Sequence, residues 1–206
     1  MAETDTVFEK PQIPERILVA AARVMEREGF ANASLRQIAE EAGMTKAGLY
    51  YHVASKEALL FALHERFASR LRDYSERVAA ADLTATEKLR QLISQTVQTA
   101  ATYHSEGIVF LREYGHLTGE MAAMLSAERD RFRAIFEAVI ADGVTTGEFR
   151  SGTPYVDALA ILGACNFTAF WYQPDGPLSP EEIAEAFAGR LIYGMSTTQT
   201  DNGGPA

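Results

Sequence analysis

Residues 34–57 read SLRQIAEEAGMTKAGLYYHVASKE, and their spacing decides the fold. Ser34 followed by Gln37 is a capping box: the serine oxygen accepts from the third helical amide and the glutamine reaches back to the cap. Leu35, Ile38, Ala39 and Ala42 then fall at i, i+3, i+4 and i+7, one apolar face of a helix. Gly43 stands where the chain must leave that helix through positive φ, the conformation that costs glycine least. Thr45 is an N-cap for a second, short helix over 46–51, and Ser55 opens a third. Two short helices joined by a glycine-containing turn predict a helix-turn-helix, whose second helix enters the major groove of DNA.

The side chains around that turn suit contact with a duplex. Lys46 brings charge to the start of the second helix, and Ala47 and Gly48 have too little bulk to hold it away from base edges. Leu49 is the core anchor, while Tyr50, Tyr51 and His52 carry polar tips that reach phosphate oxygens. Ser55 and Lys56 begin the next helix, whose free amides and dipole favour a phosphate. Ser34, Arg36 and Thr45 complete the candidate DNA-binding set.

The run from Arg16 to Phe61 resembles the DNA-binding domain of the TetR family of bacterial transcriptional repressors. The resemblance rests on a first helix ending in Glu-Gly-Phe, on S-x-R-x-I-A-x-x-A-G, and on the L-Y-Y-H and S-K-E-x-L signatures. Val53 stands where the family usually has Phe, which predicts looser packing there. The resemblance implies an all-α fold of about nine helices: an N-terminal three-helix DNA-binding domain and a larger helical domain for effector binding and dimerisation.

Working outward, residues 1–12 read as a flexible arm and 13–56 as the helix-turn-helix domain. Helix 1 buries Ile13, Ile17, Ala20, Ala21, Val24 and Met25 and ends at Gly29. Residues 57–195 form the second domain. Helix 4 runs from Ser55 to about Ala80 with Leu59, Leu63, Phe67, Leu71, Tyr74 and Val78 at helical spacing, long enough to reach both domains and carry a signal between them. Thr84 with Glu87 is a second capping box, opening helix 5. Helix 6 is expected over 105–117, and helix 7 from about Gly119 to Asp142, ended by Gly143. Helix 8, from Pro154 to about Tyr172, is apolar nearly all round, which predicts burial on both sides, one against its own domain and the other against another subunit. Helix 9 opens with Ser179-Pro180-Glu181-Glu182, an N-cap, an N1 proline and a capping-box glutamate. Leu159, Leu162, Phe187 and Leu191 are the expected dimer contacts of helices 8 and 9. Residues 196–206 are polar and expected to be disordered.

Composition bounds the function. A chain of 206 residues with 47% hydrophobic and 23% charged residues is that of a soluble globular protein, cytoplasmic by default. The net charge of −9, with −2 in residues 1–60, argues against indiscriminate coating of nucleic acid. One cysteine, Cys165, excludes an internal disulfide, and the longest apolar run falls far short of the roughly 20 residues that span a bilayer. No nucleophile motif or phosphate-binding glycine loop is present, so neither an enzyme nor a cofactor is implied.

Asn166, on the apolar helix 8, needs buried hydrogen-bond partners or a ligand. With Phe170 and Trp171 beside it, and Phe110, Tyr114, Met121, Met124, Phe132 and Phe136 elsewhere, it forms the candidate ligand-binding set; ordinary core packing is the competing reading of each. Glu113 and His116 make one Glu-x-x-His pair, where bundle metal sites need two. The segment GACNFTAFWYQPDGPLSPEEIAE resembles a TetR subgroup linked to fatty-acid, aromatic-acid or sterol degradation. That resemblance implies an acyl-CoA effector, an apolar cavity for the acyl part and basic residues for the phosphates. Gln173 stands where the subgroup usually has Arg, leaving Arg112, Arg129, Arg131 and Arg133 as substitutes or as solvated helix faces. The expected function is a homodimeric repressor released from a palindromic operator by that effector. The alternatives are a regulator of drug efflux sensing a lipophilic compound and, in a different class, a helical small-molecule carrier with a vestigial helix-turn-helix.

Overall fold

The computed structural model describes residues 13–150 and 152–197, and among them the secondary structure is helical apart from one isolated bridge, Phe149 with Ser196. Helix α1 (Glu15–Asn32) is interrupted at Gly29, whose φ of 75° and ψ of 156° leave the helical region. Helix α2 (Leu35–Glu41) begins with the expected box: Gln37 N donates to Ser34 Oγ at 3.3 Å and Ser34 N to Gln37 Oε1 at 2.9 Å. Gly43 turns the chain at φ 63°. Helix α3 (Lys46–His52) is capped by Thr45, whose hydroxyl accepts from Gly48 N at 3.1 Å. Ile17, Val24, Met25, Ile38 and Leu49 close around Leu59, Leu60 and Leu63 of α4 (Lys56–Ala80). Val53 is 1% exposed, so its smaller side chain is fully enclosed in this core.

The first core does not stop at α4. Val109 from α6 (His104–Arg112), together with Leu117 and Leu125, belongs to it as well. The second core is built on α5 (Ala85–Thr102), which contacts α4, α6, α7 (Gly119–Thr145), α8 (Pro154–Trp171) and α9 (Pro180–Met195). Leu89, Leu92, Ile93, Phe136, Ile140, Ile161 and Cys165 are its interior. Burial pushes the Cys165 thiol up to about 12, so it stays a neutral packing group.

Three expectations change in the structure, and one is met in part. Helix 6 ends at Arg112, and residues Tyr114–His116 form a separate 3-10 turn, because Glu113 adopts φ −105°, ψ 0°. Gly143 does not end α7; it lies inside the helix, and a Cβ there would collide with the Phe149 ring and lie 2.9 Å from Ala85 Cβ. Helix α8 is buried along one side within the chain, and Val156, Leu159, Phe167, Phe170 and Trp171 are exposed, which leaves a side for the second subunit that the sequence calls for. Ser196 and Thr197 are ordered against the 147–149 turn, Thr197 Oγ1 donating to Gly147 O at 2.7 Å, while the expected arm at 1–12 and the tail at 198–206 lie outside the described residues.

Lys56 joins the start of α4 to the end of α1. Its ammonium donates to the carbonyls of Phe30 (2.6 Å), Ala31 (3.1 Å) and Ala33 (2.9 Å) and lies 4.5 Å from the Phe30 ring centroid. Hydrogen bonds to charged groups contribute more than neutral ones. Lys56→Met keeps the stem and removes the three donors, and is expected to lower stability by about 2 kcal/mol in urea unfolding. Gly143→Ala overpacks the Phe149 contact and is expected to cost about 1–3 kcal/mol in the same measurement.

Candidate DNA-reading face and effector cavity

Helix α3 divides its side chains cleanly. Leu49 is fully buried, while Thr45, Lys46 and Ala47 are exposed and Tyr50 and Tyr51 are 49% and 77% exposed. Neither tyrosine belongs to the buried core, and hydroxyls on an exposed face suit contact with a phosphate. Lys46 Nζ lies 5.6 Å from the Tyr50 ring centroid and His52 packs edge-on against Tyr51 at 5.0 Å. Gly48 is half-buried against the cap: a Cβ would sit 3.3 Å from Thr45 Oγ1 and from Met44 Cε. Arg36 is exposed with its guanidinium 3.9 Å from Glu40.

Two members of the sequence-predicted set do other work. Ser34 exchanges both hydrogen bonds of its capping box with Gln37, and the ammonium of Lys56 is directed to three backbone carbonyls. The ammonium of Lys56, from which a phosphate contact is expected, thus has a structural role in the chain: it has three donors, and all three have acceptors there.

A cavity of about 650 Å³ lies between α4, α6, α7 and α8. Phe110, Tyr114, Phe132 and Asn166 line it, as the sequence suggested. Five other candidates are not among its walls. Phe136 is fully buried in the second core, packed edge-on against Phe132 at 5.3 Å; Met121 and Met124 are exposed, and Phe170 and Trp171 are 46% and 42% exposed toward the end of α8. Leu159 and Leu162, expected at a dimer contact, line the cavity, whereas Phe187 and Leu191 are half-buried against the second core. Tyr155, Leu159, Leu162 and Asn166 recur every three or four residues, the stripe of α8 that faces α7. Leu71 of α4 and Leu125 of α7 were missed as walls because each also fits the apolar periodicity of its own helix.

The cavity's charges are unequal. Glu128 pairs with Arg72 at 2.9 Å, and Arg133 with Glu137 at 2.7 Å while lying 4.7 Å from the Tyr155 ring. Arg129 faces the Tyr114 ring at 4.3 Å and has no carboxylate in ion-pair range among the described residues. Behind this wall, one turn below Ala68 on α4, His64 is 1% exposed and 5.3 Å from the Phe110 ring. Its Nδ1 lies 2.9 Å from Leu60 O, and burial, aided by the Arg129 charge, lowers its pKa and keeps the imidazole neutral. No group of three or more His, Cys, Asp or Glu suited to a metal occurs among the described residues, and no helix there is long and apolar enough to cross a membrane. Glu113 and His116 turn instead toward Arg112 and α1.

Comparison with known proteins agrees with this layout. Residues 17–63 match the family model described as bacterial regulatory proteins, tetR family, and residues 82–195 that of the tetracyclin repressor-like C-terminal domain. The HTH-type transcriptional repressor KstR2 of Rhodococcus jostii (strain RHA1) is 26% identical over 183 residues, covering 88% of this chain and 90% of that protein. The crystal structure of AibR in complex with isovaleryl coenzyme A and operator DNA superposes with a TM-score of 0.78 at 32% identity, over 86% of this chain and 98% of that one. The structure of the ketosteroid regulator KstR2 of Mycobacterium tuberculosis shares the fold, with a TM-score of 0.84 at 21% identity over 90% and 96% of the two chains. With the C-terminal match alone covering more than half of the sequence, the chain belongs to the tetR family of bacterial transcriptional regulators.

Proposed function

We propose that this regulator is a homodimeric repressor that binds a palindromic operator through α3 and leaves it when an acyl-CoA thioester enters the cavity. Residues 13–56 act as the reading head and 57–195 as the effector and dimerisation part. The observation that carries the reading is the combination of an exposed Lys46, Tyr50 and Tyr51 face with a separate apolar cavity whose wall holds Arg129, which has no carboxylate partner among the described residues. The bound AibR complex, which contains both isovaleryl coenzyme A and operator DNA, supports that pairing of partners.

The cavity's chemistry supports an amphipathic anion. Ala68, Leu71, Leu125, Phe132 and Leu162 give an apolar floor for an acyl group, and Asn166 can exchange hydrogen bonds with a carbonyl. Arg129 supplies the charge expected of Arg at position 173, where this chain has Gln. Dimerisation would cover the exposed apolar residues of α8, and two reading helices would stand roughly 34–36 Å apart, one turn of DNA. An effector acts by preferring the conformation that spoils this spacing.

A gel shift on the DNA upstream of the gene, with and without acyl-CoA thioesters and the matching free acids, tests the reading. Specific binding released by thioesters supports it; release by free acids alone removes the coenzyme A part; failure to bind any duplex specifically favours a carrier. Lys46→Ala and Tyr51→Ala are each expected to weaken operator binding about 5- to 100-fold, and Lys46→Ala to reduce the slope of log K against log salt by about 1 if it neutralises a phosphate. Arg129→Gln is expected to leave operator affinity unchanged and to raise the thioester concentration needed for release about tenfold. An unchanged release curve would remove Arg129 from the effector site.

A further inference from the structure

Residues 110–117 serve two neighbours at once. Phe110, Tyr114, Gly115 and Leu117 line the cavity. Between them, Arg112, Glu113 and His116 face α1. Arg112 Nη2 donates to the carbonyls of Met25 at 2.7 Å and Glu26 at 2.8 Å, and its Nε to Glu113 Oε1 at 2.6 Å. Glu113 is 4% exposed, and its other oxygen lies 3.2 Å from His116 Nε2. The His116 ring then packs on Phe30 at 5.0 Å. The end of α6 and the tighter 3-10 turn after it produce this division, since a change of helical pitch sends successive side chains to different sides.

The acceptors on α1 lie just ahead of its interruption at Gly29, where the helical ladder opens and carbonyls can take outside donors. Beyond the interruption, Lys56 holds the carbonyls of Phe30, Ala31 and Ala33. Ser34 then starts α2, which leads through Gly43 to α3. The segment between cavity and reading head is thus gripped on both sides of a glycine joint, by Arg112 before it and Lys56 after it.

We propose that Arg112, Glu113 and His116 form the latch through which occupation of the cavity moves the DNA-reading helices. This rests on the effector-release reading above and assigns the Glu-x-x-His pair, left without a role by the metal reading, to signal transmission. A ligand against Phe110 and Tyr114 displaces the backbone that also carries Arg112 and Glu113. The end of α1 follows through its two carbonyls, and α2 and α3 follow from Ala33 onward. These three are positioning residues: they act through α1 and need no contact with either ligand.

The test measures each affinity in the presence and absence of the other partner. Operator binding and binding of isovaleryl coenzyme A, a long-chain acyl-CoA and the matching free acids are titrated for wild type, Arg112→Gln and His116→Ala. In the wild type, the probe that releases DNA is expected to weaken operator binding about tenfold or more, within the usual range of coupling between sites. In Arg112→Gln the separate affinities stay within about threefold of wild type while the coupling factor falls below about threefold. His116→Ala, at a side chain 46% exposed, is expected to fold normally and to show a partial loss. If Arg112→Gln does not fold, His116→Ala and Glu113→Gln decide the matter. Full coupling in the folded variants overturns the latch while leaving effector release intact. Loss of both separate affinities together marks a purely structural role and also overturns it. Absence of coupling in the wild type with every probe defeats the effector-release reading itself, and the latch with it.

Discussion

The last turn of α1 keeps its place because its carbonyls have donors, and Lys56 supplies them. Three backbone acceptors converge on one ammonium, with the Phe30 ring beneath it. The proposed reading head is downstream of that point: Ala33 leads to the Ser34 cap, α2, the Gly43 turn and α3. A flexible connection there would leave α3 free to rotate on its one fully buried anchor, Leu49. The contact fixes the direction in which α2 departs, and the capping boxes and turn glycine fix the remainder locally.

The other half of the joint is electrostatic. Glu106, 6% exposed on α6, lies 2.5 Å from Arg70 and 3.6 Å from Arg66, both on α4. Arg66 also reaches Glu15 at the start of α1, at 2.6 Å. A buried carboxylate without its partners would be far costlier than the pair is stabilising, so this arrangement resists separation of α4 from α6. Helix α4 therefore carries Leu59, Leu60 and Leu63 in the first core and Val78 in the second, with Ala68 and Leu71 on the cavity between them. The rod expected from sequence does reach both cores. It is bound side by side to α6, which carries Phe110 into the same cavity.

How much of this was readable depends on how local the cause is. The boxes at Ser34, Thr84 and Ser179 and the positive φ at Gly43 follow from residues within a turn of each other, and the structure has them where spacing put them. Gly143 is the counterexample: nothing nearby distinguishes a helix-ending glycine from one that makes room for Phe149 six residues on. Lys56 is another, because a lysine beside a helix start gives the same signal whether a phosphate or the carbonyls of a distant helix receive it. The cavity was half legible. Phe132 and Phe136 lie four residues apart on one helix, and only tertiary packing sends the first to the cavity and the second into the core. Likewise the apolar run of α8 hid a division between the cavity stripe and a core stripe of Ala158, Ile161 and Cys165.

The charge balance finally constrains how such a head can bind. In residues 34–56 Arg36 is near Glu40, and Lys56 is engaged with carbonyls, leaving Lys46 as the cation without a carboxylate partner among the described residues of that stretch. Arg23 and Arg27, on the adjoining face of α1, both stand 3.9 Å from Glu41. On a chain of net charge −9, one head then brings little electrostatic attraction to a duplex. Tight binding by such a head needs a second one held at fixed spacing, so that the second contact is intramolecular and its effective concentration high. In the proposed dimer the same arithmetic lets release proceed without direct competition for DNA. A small rotation that prevents the two heads from engaging together forfeits the gain of the second contact, and a weakly charged single head cannot replace it.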